Sequence, residues 1–229
     1  MTFFERLIAA IRTFLFGRVN SDDGSPRDDE TAIEPNLPLP PPTVGEPVIS
    51  GRPYMVPAMV DLLARIRHHE AGSRGYNANY RNNQNWILTG RTFDEVRALG
   101  RSQVTTYKER SSAIGGYQFI TATLDSLKSS LGLTGKELFD VAFQDDLAIA
   151  LMIRRGLMKY LRGELSAEAF ANNLAKEWAS LPVVTPIKGA SRQLKAGQSY
   201  YAGDGLNKAL TTPGVVISHL RALKAQSWL

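Results

Sequence analysis

Apolar residues recur at helical spacing in several separate stretches of the chain, and the segments between them are polar or rich in proline and glycine. In residues 3–16, Phe3, Phe4, Leu7, Ile8, Ile11, Phe14 and Leu15 fall on one helical face, with Glu5, Arg6, Arg12 and Thr13 on the other. That pattern predicts an amphipathic helix, stopped by Gly17, and residues 1–17 read as an anchoring element. Residues 18–56 lack any period. Ser, Asp and Gly dominate, and Pro38, Pro40, Pro41 and Pro42 stiffen the stretch. Such an acidic, proline-rich linker has too little apolar surface to offset its ordering entropy.

Residues 57–229 read as the folded domain. Pro57 opens a helix over 57–71 with Met59, Leu63, Ile66 and Glu70 on one stripe. Residues 76–107 are poor in helical period and rich in Asn, Gly, Tyr and Thr, which predicts short strands and loops with a short helix at Phe93–Leu99. Leu124, Leu127 and Leu131 mark a helix over 121–131. Thr134 and Glu137 fit a capping box opening a short helix. A strong helix follows over 143–155, ending before Gly156. Ser166 can cap the next, whose stripe is Phe170, Leu174 and Trp178, and Pro182 stops it. Thr212-Pro213 opens the last, with Val216, Leu220 and Leu223 inside. The expected class is α+β: mostly helical, with one small β-rich lobe after the first helix.

Charge divides the chain at the same boundary. Residues 1–48 carry four Arg against eight Asp and Glu, whereas residues 49–229 carry 23 basic and 14 acidic residues. A basic globular part favours a polyanionic partner: nucleic acid, an anionic membrane or an anionic cell wall. The absence of cysteine excludes disulfides and cysteine-held metal. No run reaches the ~18 apolar residues of a membrane span, and Arg6 and Arg12 spoil the N-terminus as a signal peptide.

Four stretches can carry chemistry. Glu70 ends the first helix on its core-facing stripe, with Gly72 and Gly75 turning the chain just after it. A carboxyl there is partly desolvated and holds its proton to higher pH, which suits protonation of a glycosidic oxygen. The plain alternative is a helix-terminal Glu turned to solvent. His68 and His69 precede it, but helix neighbours point about 100° apart and cannot share one metal ion. The second stretch runs from Ser111 to Phe119. Gly115 and Gly116 permit close backbone approach, Tyr117 can stack on a sugar, and Ser112 and Gln118 can hydrogen-bond it. It can equally be a tight turn. In the third, Trp178 reads as core while Ser180 and Leu181 can line a groove. In the fourth, Tyr200 and Tyr201 lie between glycines on a polar loop, as a sugar-binding wall or as ordinary surface. A phosphate-cradling loop, a nucleophile elbow and a metalloprotease helix are all missing.

Taken in order, His69-Glu70-Ala71-Gly72-Ser73, the Ser111–Gln118 block, Gln144-Asp145-Asp146-Leu147-Ala148 running to Arg155-Gly156, and Trp178-Ala179-Ser180-Leu181-Pro182 resemble a lysozyme-like phage muramidase, most like the phage lambda endolysin group. The resemblance covers residues 57–205. It departs where that group shows Glu-Gly-Thr against Glu70-Ala71-Gly72 here, and at Ile114 and Gly116. It implies a lysozyme-like fold with a glycan groove between a helical and a β-rich lobe, peptidoglycan glycan strands as substrate, and Glu70 as catalytic acid. The bond implied is that between N-acetylmuramic acid and N-acetylglucosamine.

A hydrolase wants a second carboxylate, and Asp94, Glu95 and Glu109 are the candidates. The lambda-type group dispenses with one: the same Glu serves as base while the muramic acid 6-hydroxyl attacks, so a lytic transglycosylase route is implied beside hydrolysis. No cofactor, no metal and no nucleic-acid partner are expected. A catalytically silent glycan-binding or structural module is the competing class. The apolar face of residues 3–16 suits docking on a phage structural protein or a membrane surface. The expected location is therefore the phage virion, tail or internal, acting on the host wall. The alternative is a late-stage endolysin passing from host cytoplasm to periplasm.

Overall fold

The computed structural model describes residues 54–205 and 207–226. The helix expected over 3–16 and the linker before Tyr54 lie outside the described residues. The described residues form seven α-helices: α1 (Pro57–Ala71), α2 (Phe93–Thr105), α3 (Thr121–Leu131), α4 (Val141–Arg154), α5 (Leu157–Leu161), α6 (Ala167–Ala175) and α7 (Pro213–Ala225). One two-stranded antiparallel sheet, β1 (Ile187–Lys188) with β2 (Gln193–Leu194), pairs Ile187 with Leu194 and Lys188 with Gln193.

Helix α4 is the centre of the core. Its residues Phe143–Ile153 are all buried, so it has no polar face. Asp140 caps it, accepting the Phe143 N–H at 2.8 Å. The same core cluster takes in Met59, Leu62, Leu63 and Ile66 of α1, Leu124, Leu127 and Leu131 of α3, Phe170 and Leu174 of α6, and Val216, Leu220 and Leu223 of α7. Each fully buried side chain of this kind contributes roughly 1.5–3 kcal/mol. Tyr54 belongs to this packing: it is buried, and its hydroxyl donates to Asp146 at 3.0 Å. Helices α1 and α7 lie against each other, with Arg65 Nε donating to His219 Nε2 at 2.8 Å.

The β-rich lobe after the first helix is not formed as expected. Between α1 and α2 the chain makes two 3₁₀ segments, Gly72–Asn77 and Tyr80–Asn82. Isolated bridges, Asn79 with Ile114 and Ile114 with Phe119, stand in for strands. Side-chain amides do the work of a sheet there. Asn77 Oδ1 accepts from Leu88 N at 2.7 Å and Thr89 N at 3.1 Å, and Asn79 exchanges hydrogen bonds with the backbone of Gln84. The sheet that exists lies instead between α6 and α7.

The helix at Phe93 is longer than its apolar pattern indicates, reaching Thr105, and it starts from a capping box of Thr92 with Glu95. Half of the Thr134–Glu137 box forms, with Glu137 accepting from Thr134 N and Gly135 N, both at 2.8 Å, but Thr134 Oγ1 accepts from Lys136 N and no helix follows. Leu138 instead bridges Thr92, and Phe139 N donates to Arg91 O.

Candidate active site

Helix α1 ends at Ala71, and Gly72 leaves it at φ +56°, a conformation glycine adopts without strain. This places Glu70 at the helix C-terminus, where the chain turns away. Glu70 keeps some exposed surface but is closely surrounded by protein. Its Oε1 accepts two hydrogen bonds from one residue: Ser180 Oγ at 2.6 Å and Ser180 N at 3.1 Å. Burial raises the Glu70 pKa above the usual glutamate value, and the Ser180 hydrogen bonds pull against that rise without cancelling it. The negative end of the α1 dipole acts in the same direction as burial. The result is a carboxyl that gives up its proton less readily than an ordinary glutamate.

Ser180 is itself fixed. It is buried, and its carbonyl accepts from Leu210 N at 2.8 Å. The Pro182–Ser199 bridge and the Val183 N to Gln198 O bond set the Tyr200 loop beside it. Blocks 110 residues apart, at Glu70 and Ser180, therefore meet in one site. Trp178, with 2 % of its surface exposed, is core, and its ring lies 6.5 Å from that of Tyr117. Tyr201 donates to the Lys176 carbonyl at 2.6 Å, and Tyr200 lies edge-on to it at 5.2 Å. Both tyrosines are half-buried.

The Ser111–Phe119 block is placed differently from its sequence reading. Tyr117 is only 1 % exposed, so its ring packs in the core and offers no face to a sugar. Gly115 and Gly116 lie close against protein groups. A Cβ on Gly115 would meet Gln144 Oε1 at 2.8 Å, and one on Gly116 would meet Arg67 Cδ at 3.0 Å. Gln118 turns back to donate to Gly115 O at 3.0 Å, and Ser112 Oγ accepts Thr121 N, at the start of α3.

The three candidate second carboxylates have other partners. Asp94 is held below the ordinary aspartate range, first by its hydrogen bond from Lys128 and then by Arg97. Glu95 is lowered by the Thr92 backbone N–H it caps. Glu109 accepts from Asn83 at 2.6 Å. Among the described residues no hydrogen bond or ion pair joins any of them to Glu70. His68 is exposed and His69 half-buried, their rings edge-on at 5.2 Å, and the His69 pKa is lowered by burial.

Sequence reading missed the network beneath the site. Asp145, buried on α4, accepts Tyr117 Oη at 2.5 Å and Tyr76 Oη at 2.8 Å. Arg67, three residues before Glu70, donates to Tyr76 Oη at 2.6 Å and lies 4.3 Å over its ring. Next to Asp145, Gln144 accepts Gly116 N at 2.8 Å and donates to Tyr76 O at 3.2 Å. These bonds fasten the helix bearing Glu70, the turn after it and the Tyr117 block to α4. The signal was present as Gln144-Asp145-Asp146 inside an otherwise apolar helix.

The described domain is mostly helical, with a desolvated carboxyl held by Ser180 at the end of its first helix. The family model described as Endolysin matches residues 60–207, and the chain belongs to that family. Membership implies a peptidoglycan substrate and degradation of the cell wall. Comparisons with curated proteins and with solved structures return no match.

Ser180→Ala should shift the alkaline limb of the activity profile to higher pH. It removes a donor that favours charged Glu70, so the acid stays protonated further up the scale. A pH profile of wall clearing measures this; an unmoved limb would mean that Glu70 does not set it.

Proposed function

We propose that the protein cuts glycan strands of peptidoglycan at the β-1,4 bond between N-acetylmuramic acid and N-acetylglucosamine, with Glu70 as general acid. The observation that carries this reading is the Glu70 carboxyl: its pKa raised by burial, its Oε1 held by Ser180, and its place where α1 gives way to a turn. Glu70 protonates the leaving O4 as the C1–O4 bond breaks. The muramic acid 6-hydroxyl then attacks C1, and Glu70, now a carboxylate, takes its proton. The product carries a 1,6-anhydro ring and no water is consumed. The separate engagements of Asp94, Glu95 and Glu109 favour this lytic transglycosylase route, as in the lambda-type group, over hydrolysis assisted by a second carboxylate.

Clearing of purified cell walls, followed by turbidity, tests the reading. The wild-type chain is expected to clear them. Binding without clearing would favour the silent glycan-binding module instead.

The N-terminal segment extends the proposal to a virion-associated enzyme used to penetrate the host wall. Residues 3–16 include four phenylalanines, and an apolar face of that size calls for a partner. A chain beginning at Gly51 retains Tyr54 and is expected to clear walls as well as the full chain while failing to enter phage particles. Loss of clearing in a folded truncated chain would assign the segment to the catalytic domain. Full-length protein absent from purified particles would exclude the virion location.

A further inference from the structure

The turn that follows Glu70 reaches a second surface. Arg74, inside the 3₁₀ segment Gly72–Asn77, donates through Nη1 to Asn85 Oδ1 at 2.8 Å. Its Nη2 donates to Gln84 O at 3.1 Å and Trp86 O at 3.4 Å. Asn77, which ends the same segment, takes the N–H groups of Leu88 and Thr89. Trp86 is thus pinned on both sides to the turn leaving the acid. Its ring meets that of Tyr107 at 5.8 Å and 66°.

The Tyr107 loop is fixed as firmly. Tyr107 N donates to Ser102 O at 3.0 Å, Glu109 N to Gln103 O at 2.8 Å, and Asn83 Nδ2 to Glu109 Oε1 at 2.6 Å. The last of these ties the two aromatic-bearing loops together, which gives Glu109 a structural task. Yet among the described residues the surface they carry is not covered. Tyr107 is 48 % exposed, Ile87, beside Trp86 in the chain, is 62 % exposed, and Trp86 is half-buried.

Single exposed apolar residues need no explanation, but a rigid aromatic pair beside an amide-rich loop does. The loop holds Asn82, Asn83, Gln84 and Asn85. Aromatic faces take the C–H face of a pyranose ring, and amides take its hydroxyl and acetamido groups.

We infer that the Trp86–Tyr107 pair is an outlying sugar subsite, continuous with the Glu70 site through the Gly72–Asn77 turn, that stacks an N-acetylhexosamine unit of the glycan strand away from the bond being cut. The inference rests on the glycan-cleaving reading of Glu70 and adds where the strand is held.

The test uses the full chain carrying Glu70→Gln, so that the wall is not consumed, and reads co-sedimentation with purified peptidoglycan. Adding Tyr107→Ala or Trp86→Ala should weaken wall binding about tenfold, whereas Tyr107→Phe, which keeps the ring face, should restore it. Tyr107 is exposed, so its replacement is not expected to compromise folding. With Glu70 intact, the Tyr107→Ala chain should show a raised KM and a smaller change in kcat, the mark of lost binding away from the reacting bond. Unchanged sedimentation and KM in a wall-clearing protein would overturn the subsite alone. A parent chain that neither clears nor binds the wall would overturn the glycan-cleaving reading and the subsite with it.

Discussion

Glu70→Gln should reduce wall clearing by ~10²–10⁴-fold, the usual contribution of a positioned general acid. The amide keeps the carboxyl's shape and can still accept from Ser180, but it has no proton to deliver. A second outcome separates lost chemistry from lost folding. Burial raises the Glu70 pKa, so the folded protein prefers the neutral form and its stability falls as pH rises through and above the ordinary glutamate range. The glutamine variant lacks that loss. At neutral pH its melting temperature should therefore equal or exceed that of the wild type, and the difference should vanish on acidification below the ordinary glutamate value. Thermal denaturation across pH checks this. A variant that clears walls within about tenfold of wild type would dismiss Glu70 as the acid.

Asp145→Ala should cost stability on the scale of a broken buried polar cluster, about 3–5 kcal/mol. Asp145 is the shared acceptor of Tyr76 and Tyr117, and Arg67 lies 3.8 Å from the same oxygen. Its removal strands two phenols, one fully buried, and a guanidinium that has lost its counter-charge. Asp145→Asn retains an acceptor oxygen and should cost less. Equilibrium urea unfolding of the two variants gives both values. A loss below about 1 kcal/mol for Asp145→Ala would mean that water or neighbouring groups replace the carboxylate readily.

Helices with one apolar stripe and clear punctuation were legible in the sequence. Leu124, Leu127 and Leu131 before Gly132, and Val216, Leu220 and Leu223 after Pro213, mark α3 and α7 closely. Helix α5 spans five residues, too few to show a period, and each strand of the sheet has two. The stretch after α1 defeated the pattern because 3₁₀ turns and Asn side chains, not a pleated alternation, satisfy its backbone. The Thr134–Glu137 box shows the limit of a local motif: Glu137 takes the Thr134 N–H, but pairing of the next residues with Thr92 and Arg91 wins over a helix.

In the site, Glu70 and Ser180 were nameable because each occupies a recognisable block, though their contact spans 110 residues. The Tyr117 block was legible as a place of close approach, either to a ligand or within a tight turn. Two glycines before an aromatic signal close approach, but the sequence does not say to what, and here it is Gln144, Phe139 and Arg67. A buried aspartate on a helix without a polar face could be noticed, yet its partners come from three distant segments.

The central claim is that Glu70 drives cleavage of the glycan strand, and mass spectrometry of the fragments released from purified peptidoglycan tests it most directly. The account predicts disaccharide-bearing fragments ending in 1,6-anhydro-muramic acid, lighter by one water than hydrolytic products, released by the wild type and not by Glu70→Gln. Reducing muramic acid ends would refute the transglycosylase route and return attention to Asp94, Glu95 and Glu109. Intact glycan strands with severed stem peptides would contradict the account altogether.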